Sequence, residues 1–160
     1  SSSFTIMSKI TPFLWFDTQA LEAAKFYTSI FPNSSIHGEE QFENSGPDEN
    51  QTVQIVSFVL DGQEFQAMNA GPLFKFNESV SWLVDCADQA EVDYYWEKLT
   101  ADGGEESQCG WLKDKYGVSW QIVPKALGEC FARDTSGNVM KAMLGMKKLI
   151  VSELEAACQN

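Results

Sequence analysis

Residues 109–124 constrain the fold more than any other stretch, because they predict two short strands joined by a tight turn. Gly117 can adopt the positive φ that such a turn requires. Side chains then alternate, which places Trp120 and Gln121 on opposite faces of the second strand. Pro124 ends that strand because proline has no backbone N–H to donate. The pattern predicts a sheet with one packed face and one hollow face.

The predicted elements upstream of this hairpin begin with an apolar strand at residues 9–16. Asp17 or Thr18 can cap a helix that runs to about residue 31. Three strands are predicted next, at residues 34–42, 53–60 and 64–69, with Asp61-Gly62 as a hairpin turn.

The same order then repeats. Residues 80–85 predict a strand, and Asp88 with Glu91 forms a capping box for a second helix. Gly103-Gly104 ends that helix, and strands follow near residues 105–109, 111–114 and 118–123. Two βαβββ modules are therefore expected, at residues 8–70 and 78–124.

Residues 125–160 lie outside the repeat and predict a helical extension. Met140, Met143 and Met146 recur there at helical spacing, which usually indicates core packing. Packing across a subunit boundary is the alternative, since methionine suits adaptable contacts.

Composition limits the classes of partner. The formal net charge of the 160 residues is −12, which argues against nucleic acid and anionic membranes. No apolar run approaches the ~20 residues of a membrane span. Four cysteines without a close pair predict reduced thiols in the cytoplasm. Residues 1–6 are expected to be a lead-in before Met7, a plausible native start.

Several motifs together resemble one known family. They are the sequences ITPFLWFD at residues 10–17, FY at 26–27, SWLVDC at 81–86, GWLKD at 110–114 and GVSWQIVP at 117–124. From residue 9 to the methionine-rich tail the chain resembles the PhnB-like, or 3-demethylubiquinone-9 3-methyltransferase-like, branch of the glyoxalase/bleomycin-resistance (vicinal-oxygen-chelate) superfamily. The resemblance implies an α+β fold in which two βαβββ modules build a curved mixed sheet with a helical tail. It also implies a symmetric homodimer.

The metal-ligand positions of that superfamily can be carried onto this sequence. They fall at Ile10, Gln66, Ser79 or Ser81, and Gln121. Apolar, amide and hydroxyl groups bind divalent metals poorly, and Glu64 on the face of Gln66 supplies only one carboxylate. We therefore expect neither a divalent metal nor another cofactor. The methyltransferase label is also unsupported, because no glycine-rich turn joins a strand to a helix.

The hollow face of the sheet is the candidate ligand site. Gln66 and Gln121 offer amide groups in an apolar cup; alternatively, they bond to each other or to neighbouring strands and fill it. Alternation predicts that Phe58 and Trp111 line the cup. The other tryptophans, Trp15, Trp82 and Trp120, are predicted to face the helices. The candidate ligand-binding residues are Ile10, Phe58, Glu64, Gln66, Met68, Ser79, Ser81, Trp111 and Gln121; no catalytic residue is assigned.

Other reactive side chains are expected to have ordinary roles. Lys113 and Asp114 are predicted to form a surface ion pair. His37, the single histidine, is predicted to be a solvated side chain. Cys86 and Cys109 are predicted to be small buried hydrophobic groups.

Three functional hypotheses follow. The first is a metal-independent binder of a small apolar or mixed-polarity molecule. The second is a glyoxalase- or dioxygenase-type metal-dependent enzyme. The third is a homodimer that retains the fold while side chains plug the cup. The absence of good metal ligands favours the first and third hypotheses over the second.

Overall fold

A computed structural model describes residues 8–48 and 50–159. The predicted lead-in, residues 1–6, lies outside these ranges. The chain divides into two units, residues 1–75 and 76–160, and each is described by itself. Among the described residues, no helix is long and apolar enough to cross a membrane.

The first unit is a βαβββ module built on one four-stranded sheet. Its elements are β1 (Phe13–Phe16), α1 (Ala20–Ile30), β2 (Ser35–Phe42), β3 (Val53–Leu60) and β4 (Gln63–Asn69). The sheet order is β1-β4-β3-β2, with β1 parallel to β4 and the other pairs antiparallel. The predicted hairpin turn between β3 and β4 is confirmed, because both Asp61 and Gly62 have positive φ.

The start of the first module differs from the prediction in two ways. β1 begins at Phe13 and not at residue 9, directly after Pro12, which cannot donate to a ladder. Neither Asp17 nor Thr18 caps α1, since its N-cap is Gln19, without a side-chain cap. Instead, the amide oxygen of Asn69 accepts a hydrogen bond from Ala20 N at 2.7 Å. A strand distant in sequence therefore caps the helix.

The second module repeats this plan. Its elements are β5 (Ser81–Cys86), α2 (Gln89–Thr100), a 3-10 turn (Ala101–Gly103), β6 (Glu105–Glu106), β7 (Trp111–Lys113) and β8 (Ser119–Pro124). The order β5-β8-β7-β6, with β5 parallel to β8, matches the first sheet. The predicted N-cap is confirmed, because Asp88 accepts from Glu91 N at 3.0 Å. The Glu91 side chain accepts from Ala87 N at 2.9 Å, one residue before the N-cap.

The tail forms three helices, α3 (Lys125–Arg133), α4 (Asn138–Leu144) and α5 (Val151–Cys158). Met146 falls in the loop after α4 and is buried, whereas Met140 is exposed. The tail is fixed to the second module by backbone hydrogen bonds from Cys109 N to Met146 O and from Gly110 N to Lys147 O, both 2.8 Å. The side chain of Gln89 adds bonds to Leu149 O at 3.1 Å and from Val151 N at 2.6 Å.

Candidate ligand-binding faces

The open face of the first sheet collects several predicted site residues. Glu64, Gln66 and Met68 alternate along β4 and share one face, half-buried. The register of β1 places Phe13 beside Gln66 and Trp15 beside Met68. Gln66 and Met68 thus have an aromatic side chain next to each on the same face.

The amide of Gln66 is hydrogen-bonded within this sheet. Its Nε2 donates to Ser57 Oγ at 3.2 Å, across the β3–β4 pair. One donor is therefore used by a neighbouring strand, as the cup-filling alternative anticipates. No partner for the amide oxygen is seen among the described residues, so an acceptor remains on this face.

A cavity of about 460 Å³ lies at the Glu64 end of the face. Glu64 and Val59 are cross-strand partners in its wall, and Ser35 pairs with Val59 from β2. His37 also lines the cavity, with its Nε2 3.4 Å from Ser35 Oγ. The pairing of β2 with β3 shifts register between Ile36 and Gly38, and such an irregularity re-aims a side chain.

His37 is exposed, as predicted for a solvated side chain, but the sequence did not predict this cavity. The missing signal is the register shift, which depends on cross-strand pairing and has no mark in the sequence. The structure therefore places one carboxylate, Glu64, and one imidazole, His37, in the wall of a common cavity.

The open face of the second sheet carries the corresponding glutamine. Gln121 lies between Trp111 on β7 and Leu83 on β5. Its Nε2 donates to Ser81 Oγ at 2.9 Å. Ser81, Trp111 and Gln121, all predicted site residues, are thus neighbours on one face.

Three predicted site residues do not lie on these faces. Phe58 is buried on the opposite face of its sheet, stacked between Tyr27 and Phe65, so the alternation was assigned to the wrong side. Ile10 precedes β1 and is 81% exposed. Ser79 precedes β5 and is exposed, with its hydroxyl donating to Asn77 Oδ1 at 2.6 Å.

The tryptophans divide between the two faces. Trp82 and Trp120 are cross-strand partners on the packed face, and Trp120 is buried. Trp15 was predicted to face the helix but shares the open face with Phe13. Its indole N–H donates to Gly71 O at 2.9 Å, and its ring meets Phe74 edge-on. The chain beyond β4 therefore holds Trp15 in this orientation.

Lys113 and Asp114 do not form the predicted surface pair. Lys113 bridges to Glu78, and this hydrogen bond lowers the pKa of the Glu78 carboxyl and raises the pKa of Lys113. Asp114 is buried and accepts hydrogen bonds from Trp120 Nε1 and from backbone N–H groups of the turn. Its role is to organise the hairpin.

Metal binding requires grouped ligands, and thiol reactivity requires a low thiol pKa. Across residues 8–48 and 50–159, no three histidine, cysteine or acidic side chains are grouped so that they could hold a metal ion. Burial, together with nearby Glu91, Asp85 and Asp88, raises the pKa of the Cys86 thiol to about 12. Cys86 is therefore an unreactive buried thiol at neutral pH.

Two successive βαβββ modules with the same strand order are the mark of the glyoxalase/bleomycin-resistance fold. A glyoxalase family protein from Bacillus cereus has this fold, with 12% identity over 78% of this chain and 97% of that chain, at a TM-score of 0.54. The fosfomycin resistance protein FosX from Listeria monocytogenes is 19% identical over 81% of this chain and 99% of its own, at a TM-score of 0.54.

A closer relationship identifies the family. The family model described as 3-demethylubiquinone-9 3-methyltransferase matches residues 8–123. A PhnB protein from Bacillus cereus is 35% identical over 73% of this chain and 99% of that chain, with a TM-score of 0.63. The chain belongs to the PhnB-like 3-demethylubiquinone-9 3-methyltransferase family, within the glyoxalase/bleomycin-resistance superfamily. No functionally curated protein matches the sequence.

Proposed function

We propose that this protein binds a small molecule of mixed polarity, without a metal ion, on the open face of its first sheet. The cavity beside Glu64 is the main support for this proposal. Its volume of about 460 Å³ falls within the range of small-molecule pockets. On β4, Glu64 of the cavity wall is followed on the same face by Gln66 and Met68, which neighbour Phe13 and Trp15 on β1.

The side chains that share this sheet face with Glu64 favour a particular ligand chemistry. Phe13, Trp15 and Met68 offer apolar surface, suited to a hydrocarbon or aromatic body. Glu64 and the amide oxygen of Gln66 accept hydrogen bonds, so the polar end of the ligand should carry donors such as ammonium, amide N–H or hydroxyl groups.

The proposal includes no metal ion because the side chains at the expected ligand positions are poor metal ligands. The superfamily's ligand positions hold Gln66, Gln121 and a serine, and Ile10 lies outside the sheet. Neutral amide and hydroxyl oxygens are weak ligands for zinc or other transition metals. Because these residues do not fit a metal centre, no metal-dependent step is assigned to the protein.

The proposal can be tested with a fragment library of small amines, amides and aromatic alcohols. Saturation-transfer NMR on EDTA-treated protein should detect fragments whose binding is lost in Ser35→Trp, which fills the cavity from an exposed position. Glu64→Gln should weaken amine binding roughly tenfold, equivalent to one charged hydrogen bond of ~1.4 kcal/mol. Glu39→Gln, an exposed carboxylate of β2 outside the cavity, is the matched control.

Two results would contradict this function. Fragments that bind equally well to wild type and Ser35→Trp would place the site elsewhere. Binding that requires added manganese, nickel, iron or zinc would contradict metal independence and favour the enzyme hypothesis.

A second candidate function has its own support. Gln66 and Gln121 each donate to a serine of a neighbouring strand, which is the arrangement expected if side chains fill the open faces. In that case the protein acts as a homodimeric assembly unit. Absence of any fragment binding, together with a dimer mass from light scattering, would favour this candidate.

A further inference from the structure

Two cysteines lie close together in the helical tail, and the proposed function uses neither of them. Cys130 lies on α3, and Cys158 is the last residue of α5. One nitrogen of the Arg133 guanidinium, Nη2, is 3.8 Å from the Cys130 sulfur and 3.4 Å from the Cys158 sulfur. Because a single atom contacts both sulfurs, the two thiols are neighbours.

The packing of the tail keeps these helices together. Cys130 is fully buried in a small core with Val139, Leu149 and Leu154, and Cys158 packs against the same core. A disulfide forms only where the backbone already brings two cysteines close. The tail core provides that proximity before any oxidation.

The two thiols differ in exposure, which suggests different roles. Cys158 is half-buried at the helix end, where a small oxidant can reach it. Burial raises the pKa of Cys130, and its contact with Cys158 raises it further, whereas Arg133 opposes the rise. A guanidinium beside a thiol favours the thiolate, the reactive form. Cys158, the more accessible thiol, is therefore suited to react first and the buried Cys130 to resolve the product.

We propose that Cys130 and Cys158 form a peroxide-reactive dithiol that closes to a disulfide between α3 and α5. The Cys158 thiolate attacks a hydroperoxide; an S–O bond forms, the O–O bond breaks, and the leaving oxygen departs as water or alcohol after taking a proton. The Cys130 thiol then gives up its proton as its sulfur attacks the sulfenic sulfur; the S–S bond forms, the S–O bond breaks, and the departing hydroxide takes that proton and leaves as water. Two thiols lose two electrons in total, and the peroxide gains them.

The other two cysteines provide an internal contrast. Burial and three nearby carboxylates, those of Glu91, Asp85 and Asp88, raise the pKa of the Cys86 thiol to about 12. Cys109 lies between the second module and the tail, where its backbone N–H is bonded to Met146 O. Neither has an arginine contact, in the part of the chain described, like that of Cys130 and Cys158.

The test uses the reduced full chain and hydrogen peroxide. Intact mass spectrometry should show loss of two hydrogen masses, and non-reducing peptide mapping should show Cys130 linked to Cys158. In Cys130→Ser, dimedone should label Cys158 as a trapped sulfenic acid. Arg133→Gln should slow the reaction severalfold, since it removes the cation that contacts both sulfurs, whereas Lys141→Gln on α4 should not.

The wild-type peptide map decides the matter even if a variant fails to fold. Linkage of either cysteine to Cys86 or Cys109, linkage between two chains, or absence of any disulfide would overturn the proposal. A disulfide that forms equally fast in Arg133→Gln would overturn the role of the guanidinium. The outcome is independent of fragment binding to the first sheet.

Discussion

Asp114 holds the hairpin between β7 and β8 from inside. Its side chain is 3% exposed. Oδ1 accepts from Tyr116 N at 2.9 Å and from Val118 N at 3.1 Å, and Oδ2 accepts from Trp120 Nε1 at 2.9 Å. The carboxylate thus fixes both the turn and the tryptophan that the turn leads to.

Asp114→Ala removes both acceptor oxygens and leaves their three donors without these hydrogen bonds. A hydrogen bond to a charged group contributes about 1.5–3 kcal/mol, and an unsatisfied buried donor costs about 1–3 kcal/mol. Removing the cost of burying the carboxylate offsets part of the loss. We expect unfolding free energy to fall by about 3–4 kcal/mol, a large part of the ~5–15 kcal/mol of a typical domain.

Asp114→Asn tests the hydrogen bonds to the turn separately from the hydrogen bond to Trp120. Its amide oxygen can still accept from the turn, but its NH₂ group would face the indole N–H of Trp120. The expected loss is about half that of the alanine variant, ~1.5–2 kcal/mol. Trp120→Phe removes the same bond from the other side, so the double variant should lose less than the sum of the two single losses.

Urea unfolding followed by circular dichroism measures each of these losses. Asp85→Ala changes an exposed aspartate on β5 and is the control, expected within ~0.5 kcal/mol of wild type. A loss below ~1 kcal/mol for Asp114→Ala, or strictly additive effects of Asp114→Asn and Trp120→Phe, would refute this account of the hairpin.

Three further changes test other contacts by unfolding measurements. Gly110→Ala should lower the free energy of unfolding by over ~2 kcal/mol, because φ is +85° and the new Cβ would lie 3.0 Å from Leu149. Gly117→Ala has a similar φ of +88° but open space around the new Cβ, so it should cost less. Equal losses of stability in the two variants would exclude a packing effect at Gly110. Asn69→Ala should cost ~1 kcal/mol by removing the cap on α1, and recovery in Asn69→Asp would separate the cap from packing; no loss would contradict the capping role. The Val139 and Ser136 N–H groups lower the pKa of Asp134. The stability that Asp134 contributes should therefore be complete above its ordinary pKa, about 4, and fall as pH drops through the lower pKa of the folded state. Asp134→Asn should lack this acid-dependent loss, and identical pH profiles for the variant and wild type would contradict the prediction.

Local patterns predicted the elements whose causes are local. β3 was predicted at residues 53–60 and occurs at Val53–Leu60, since alternating apolar residues end at an Asp-Gly turn. The N-cap of α2 depends on Asp88 and Glu91, three residues apart, and was also predicted correctly. The fold follows from the order of such elements.

Contacts between distant segments could not be predicted in this way. Asn69 on β4 caps α1 although β2 and β3 lie between them in the sequence, and no residue near Ala20 predicts this contact. The orientation of Trp15 depends on Gly71 and Phe74, after β4. The wall formed by His37 and Glu64 depends on strand register. The candidate site was therefore predicted in part, because side-chain alternation is local while register and packing are not.

Gln66 and Gln121 can be compared with the residues that packing alone would favour at their positions. Gln66 pairs with Phe13, and Gln121 pairs with Leu83; these apolar neighbours remain 47% and 53% exposed. An aliphatic residue at either glutamine could cover the exposed neighbour without needing a serine partner, whereas burying an amide costs free energy unless it is bonded. Each module nevertheless places an amide beside exposed apolar surface on the last strand of its repeat. Packing within each module does not require that choice, whereas the small-molecule binding that we propose would use an amide next to apolar surface.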